Sequence, residues 1–210
     1  MRRAWMLSML GRENRVTDAS LIGHAVHSAT FFASTTMIAL AALIGMLGNL
    51  DRTHAAVQGL ALTAKTSRPL LETKVMLLVL VFAHGFLKLS WALRQLNHCV
   101  ALIGAAPHKP DAARRDAFAD RAAAVLSLAV GSFDAGIRAY YFALSALAWL
   151  FGPGPFAPAT AGIVAMLVWR QFGSAASEAI RRSEATLLDT ETGPDRRRNG
   201  VEEPGYAPGA

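Results

Sequence analysis

The sequence predicts an all-α integral membrane protein, a helical bundle of about four transmembrane helices. Three observations carry this. Mean hydropathy is +0.31, and 53% of residues are hydrophobic against 17% charged, where a soluble domain carries roughly 25% charge. The apolar residues fall in long blocks separated by polar runs. The 210 residues suit one domain of about four spans, at roughly 20 residues each plus connections. This balance excludes a disordered chain and argues against an ordinary soluble enzyme.

Near the N-terminus, Trp5, Met6, Met9 and Leu10 recur at helical spacing among Arg2, Arg3, Arg12 and Arg15. They read as a short amphipathic helix at the membrane surface. Residues 30–50 carry no charge and form the first span, with Ala41 and Gly45 as a small-xxx-small pair open to close helix approach. A polar loop is expected over Asp51 to Thr73, with Pro69 just before the next helix. The second span covers 74–95. Residues 97–121 read as a connection broken by Pro107 and Pro110, with a charged helical piece from Asp111.

Ala122 to Phe151 is apolar apart from Asp134 and Arg138. At the helical rise this is about 45 Å, more than a hydrocarbon core of about 30 Å needs. The third span is therefore placed at 130–151. Gly152-Pro153-Gly154-Pro155 is a tight turn leading to a fourth span at 156–176, which closes a helical hairpin. Residues 189–210, with the Arg196-Arg197-Arg198 run, are expected to be a disordered cytoplasmic tail.

Net charge is +6, and its distribution sets topology. Cations gather in the N-terminal segment, in the central connection and after the last span. The first loop holds only Arg52, Lys65 and Arg68, and the Gly-Pro turn holds none. Positive-inside logic puts both termini in the cytoplasm, as in a bacterial inner membrane protein. Because these cations flank apolar blocks, membrane lipid is the expected partner and nucleic acid is not. The single cysteine, Cys99, allows no intrachain disulfide and no cysteine metal cluster. No cofactor or metal motif is present; His24 and His27 lack further ligands at suitable spacing.

Charged residues inside spans are candidates for function. Depth counted along the helices places Lys88, Arg138, Arg170, Thr35 and Thr36 in one layer, with Asp134 one turn away and i,i+4 to Arg138. His84, Lys88, Trp91, Gln95 and His98 follow 4-3-4-3 spacing. That stripe should turn to the bundle interior or to a water-filled cleft. Lys88, Arg138 and Arg170 outnumber Asp134, so an anion is the expected ligand: a lipid phosphate, a phosphorylated metabolite or a carboxylate. Arg12, Glu13 and Arg15, with Asp18, are read as a cytoplasmic cap over this pocket.

Three stretches carry a family resemblance. They are Arg12-Glu13-Asn14-Arg15 with Asp18 and Phe31-Phe32-Ala33-Ser34-Thr35-Thr36; then Phe86, Lys88, Trp91, Arg94-Gln95 and Asn97; then Gly136, Arg138-Ala139-Tyr140-Tyr141-Phe142 and Trp149-Leu150-Phe151-Gly152-Pro153. Together, over roughly Met1 to Leu188, they resemble a bacterial and plant membrane family, domain of unknown function 599. The resemblance implies an integral membrane protein with no assigned reaction, so no catalytic residue is carried over. Members of the family usually carry a hydrophobic helix upstream of the stretch matching Arg2 to Met9: either the true start lies further upstream, with a fifth span that would leave the rest of the topology unchanged, or this member lacks that helix.

The expected function is a non-enzymatic, homo-oligomeric membrane module that binds an anionic ligand or lipid at the cytoplasmic leaflet. The alternative is a subunit of an oligomeric small-solute transporter or channel. A membrane-embedded lipid-modifying enzyme ranks last, because nothing in the spacing of Glu13, Asp18, His84 and Asp134 selects a reaction.

Overall fold

The computed structural model describes residues 1–59, 66–108 and 110–172. Among them are six helices and no strand: α1 (Arg2–Leu10), α2 (Val16–Gly48), α3 (Leu50–Gln58), α4 (Arg68–Ala105), α5 (Ala112–Leu150) and α6 (Pro153–Phe172). Three of them, α2, α4 and α5, are long and apolar enough to cross a membrane. The 20-residue α6 is not among these, and the expected fourth span runs past its last described residue. The expected tail, 189–210, lies outside the described residues.

The chain divides into two compact units. One is residues 2–168; the other is Met1 with residues 169–210, whose described part is the last turn of α6. In that turn Trp169 is exposed and Arg170 is the basic residue at the helix end, where a cation meets the negative end of the helix dipole.

The main unit is built around α4. Ile22 and Ala29 of α2 share a core with Leu96, Cys99 and Ile103 of α4 and with Ala119, Ala122 and Ala129 of α5. A second core joins Leu43 of α2 to Leu71, Val75 and Leu78 of α4 and to Ala143 and Ala146 of α5. The start of α2 therefore lies beside the end of α4 and the start of α5, so α4 runs antiparallel to both neighbours. Met6 and Met9 of α1 are fully buried in the first core, so the apolar face expected to lie on the membrane surface packs on the bundle instead. Outward, α2, α4 and α5 present Phe31, Ile38, Leu80, Leu87, Leu128 and Leu144. An exposed apolar belt of this kind fits lipid rather than water.

Helix boundaries differ from the apolar blocks of the sequence. The helix of the first span, α2, begins at Val16, well before residue 30, and α4 runs on to Ala105. The expected loop after the first span contains α3 and the first turn of α4, where Pro69 sits inside the helix start. The expected connection 97–121 shrinks to residues 106–111, and its charged piece is the first part of α5. The reason is common to all four: backbone bonding and local packing carry a helix past the bilayer, where polar residues are tolerated. The ends follow local chemistry. Ala106 is extended before Pro107. Asp111 caps α5 by accepting from the Arg114 backbone N–H at 2.8 Å. Gly152, with φ of 128°, turns the chain from α5 into α6 in a conformation that other residues rarely adopt.

The return into α6 begins as a hairpin. Trp149 and Phe156 rings lie 5.7 Å apart, and the Ser145 and Thr160 hydroxyls bond to each other. Beyond that second turn Val164, Met166 and Val168 are exposed.

Candidate functional site

The polar cluster at the end of the bundle that carries α1 is a fastening. Asp18, on the first turn of α2, has no solvent exposure. Its Oδ1 accepts from the Trp5 indole at 2.7 Å and from the Arg12 guanidinium at 2.6 Å. Arg12 also donates to Ser8 at 3.3 Å. A carboxylate removed from water needs such partners, and here they tie α1 to α2. Arg15 donates to the carbonyls of Ala106 and Pro107, which satisfies the end of α4 with a cation. Two buried atoms of this cluster, Asp18 Oδ2 and Arg15 Nε, have no hydrogen-bond partner. Glu13 is exposed and lines an open hollow of about 480 Å³ with Asn14, Arg15 and His108.

One level further along the bundle, α2 and α5 are joined by side chains. The Tyr140 hydroxyl donates to the Phe32 carbonyl at 2.7 Å and closes a triangle with the Thr36 hydroxyl, which reaches the same carbonyl. Phe32 packs edge-on against both Phe133 and Tyr140. Thr36 is fully buried; Thr35 is exposed and donates to the Phe31 carbonyl of its own helix. Tyr140→Phe removes the hydroxyl that makes both interhelical contacts, to Phe32 and Thr36, and is expected to cost about 1 kcal/mol. For a chain of this size that is a drop of about 2–4 °C in the unfolding midpoint, measurable by thermal melting in detergent.

Spacing alone missed two other fastenings. Lys74 is buried, donates from Nζ to the Trp149 carbonyl at 2.8 Å and lies 5.3 Å from the centre of that indole ring. It thus serves the last turn of α5 with charge and cation–π contact together. Gly136 meets Leu89 and the Gly85 carbonyl, while Gly85 meets Ala139. The absence of side chains at both glycines sets the close α4–α5 crossing. A partly buried indole that needs an acceptor, as at Trp5, was the available sequence signal for the first fastening.

At this crossing lies the polar stripe. His84 and Arg138 line an open groove of about 460 Å³ between α4 and α5, with Leu80, Val81, Ala135, Ala139 and Phe142 as its other walls. His84, Trp91, Asp134 and Arg138 are exposed and Lys88 is half-buried. The stripe therefore faces outward along the groove rather than into the bundle. The physical reason is that α4 spends the adjoining face, about 100° round the helix, with Gly85, Leu89 and Ala92, on its neighbours. Gln95 is buried with Oε1 unpaired, and Arg94 stacks 6.0 Å from the Trp91 ring. Among the described residues no ion pair joins Asp134 to Arg138 or to Lys88. In contact with hydrocarbon, a charged side chain near mid-depth costs about 2.5–3.5 kcal/mol on insertion scales, so this face calls for a partner.

The structure thus gathers His84, Lys88, Asp134 and Arg138 along one side of the α4–α5 pair. It sets Thr36 in the α2–α5 clamp, and Arg12 and Arg15 in the α1 fastening. Arg170 stands in the other unit. No group of three His, Cys, Asp or Glu comes together among the described residues. Cys99 is buried in the first core, while the neighbouring His98 is exposed.

No curated protein matches the chain, and no solved structure does. A family model matches residues 1–176, which include every helix described above. The chain belongs to the family described as "Protein of unknown function, DUF599".

Proposed function

We propose that the protein is a multi-pass membrane module of four crossings, with both ends of this chain on the cytoplasmic side, that holds the anionic group of a lipid or other amphiphile in the α4–α5 groove. One observation carries the reading. Arg138 and His84 line a groove whose remaining walls are apolar, and among the described residues no carboxylate pairs with Arg138. A guanidinium is the group of choice for phosphate or carboxylate in a poorly hydrated place. Lys88 adds a second cation one turn along α4, and the apolar walls suit an acyl chain. Arg12, Arg15 and Thr36 are engaged within the chain, so they shape the bundle and leave ligand contact to the groove. The cation count on the connections supports the orientation.

Native mass spectrometry of protein released gently from its own membranes tests this. The expected result is a stoichiometric anionic adduct. It should be lost on combining Lys88→Ala with Arg138→Ala, while the variant still inserts. An adduct unchanged in that variant would overturn the site. The adduct mass separates a lipid from a soluble phosphate or carboxylate.

A further inference from the structure

The same groove carries charges that two copies would satisfy and one copy does not. Gly85 faces Ala139 and Leu89 faces Gly136 across the antiparallel α4–α5 crossing. His84 and Arg138 line one groove together; in antiparallel helices one turn on along α4, at Lys88, stands level with one turn back along α5, at Asp134. Lys88 and Asp134 nonetheless form no ion pair within the chain. On α5 the outward side around Asp134 and Arg138 is low in relief. Gly131 is exposed with open space around it, and Ala135 lines the groove. Leu80, Leu87, Leu128 and Phe142 flank the charges as exposed apolar side chains.

We infer that this α4–α5 face is the interface of a two-fold homodimer in which Lys88 of each copy pairs with Asp134 of the other. A two-fold axis along the membrane normal keeps every residue at its own depth. It also makes the interface isologous: if residue i of one copy meets residue j of its partner, j meets i. Two residues that are level in one chain, opposite in charge and unpaired there are therefore presented to each other across the axis. The pairing occurs twice. Small residues at Gly131 and Ala135 let the helices come close enough for packing contacts, which drive association where no hydrophobic effect operates between helices. Once Lys88 and Asp134 compensate each other, the charge left at the groove is Arg138 of each copy, with His84 beside it. The dimer thus encloses the proposed anion site from both sides. The interface does not depend on that site being occupied.

The test uses the full chain in its native membrane. Ala135→Cys places a thiol in the groove, and the parent chain is the control, since its Cys99 is buried. Oxidation should give a covalent species of twice the chain mass in the variant and none in the parent. Adding Lys88→Glu or Asp134→Lys singly sets like charges across the axis and should lower the yield at least tenfold. The two together reverse the pair and should restore it. Yield unaffected by either single reversal, or unrestored by the double, overturns the pairing. Should the reversals fail to insert, the mass of the gently released parent chain decides: a dimer upholds the interface, and a monomer or a higher ring overturns it. An anionic adduct on a monomer would sink the dimer and spare the anion site; a dimer without an adduct would do the opposite.

Discussion

Replacing Arg12 by Ala should loosen α1 from the bundle and cost about 3–5 kcal/mol, the usual range when one partner of a buried charge pair is removed. Asp18 is fully buried and its Oδ2 already lacks a hydrogen-bond partner. Without the 2.6 Å contact from Arg12, the Trp5 indole is the one donor left to it in this fastening. The reverse change is gentler. The Arg12 side chain is 47% exposed, so Asp18→Asn frees a cation that water can solvate, and the Asn side-chain carbonyl can still accept from Trp5. The order Arg12→Ala worse than Asp18→Asn is therefore the informative outcome. A surface salt bridge would give equal, small losses of about 0–1 kcal/mol. Hydrogen exchange across residues 2–10, with thermal melting in detergent, reads both. Exchange in α1 should rise sharply in Arg12→Ala, while α4 and the second half of α5 stay protected.

That fastening shows what the sequence can and cannot disclose. Long, predominantly apolar blocks announced α2, α4 and α5, because about twenty mostly apolar residues together have few other uses. They did not announce where the helices stop. Val16 to Ser28 and Ala112 to Arg121 are polar, yet they extend α2 and α5 as surely as the apolar parts do. Asp51, Arg52 and His54 read as a loop and are helical. Spacing showed that His84, Lys88 and Trp91 share a face, and that Asp134 and Arg138 share another. It could not show which way either face turns, since that depends on which side of α4 the neighbours occupy. The fastenings were hidden for a simpler reason. Tyr140 bonds a carbonyl 108 positions away, Lys74 one 75 away and Arg15 one 91 away. A backbone carbonyl leaves no mark in the sequence. The reading of Arg12 and Arg15 as a cap over a ligand followed from their charge; the structure gives that charge to Asp18 and to the end of α4.

The α4–α5 crossing offers the second large effect. A Cβ on Gly136 would stand 2.6 Å from Leu89 Cγ and 2.8 Å from its Cδ2, closer than real Cβ atoms come. Leu89 is itself fully buried and has no open space to retreat into. Gly85, on the facing helix, meets Ala139 with almost as little room. Gly136→Val should therefore force the helices apart, at the upper end of the roughly 1–3 kcal/mol that overpacking costs. Helix propensity works the other way. Gly is worse than Ala by about 0.8–1.0 kcal/mol in a helix interior, so Gly45→Ala, at a site with nothing within 4 Å, should leave the melting temperature unchanged or raise it. The contrast between the two glycines isolates the steric term. Adding Leu89→Ala to Gly136→Val removes the atoms that clash. The double variant should then recover part of the loss, a coupling that independent sites would not show. The consequence reaches the groove, because His84 and Arg138 are level only while this crossing holds. Gly136→Val should weaken the anionic adduct even though it alters no charge. A melt unchanged by Gly136→Val would mean that α4 and α5 do not cross here, and the alignment of Lys88 with Asp134 would fall with it.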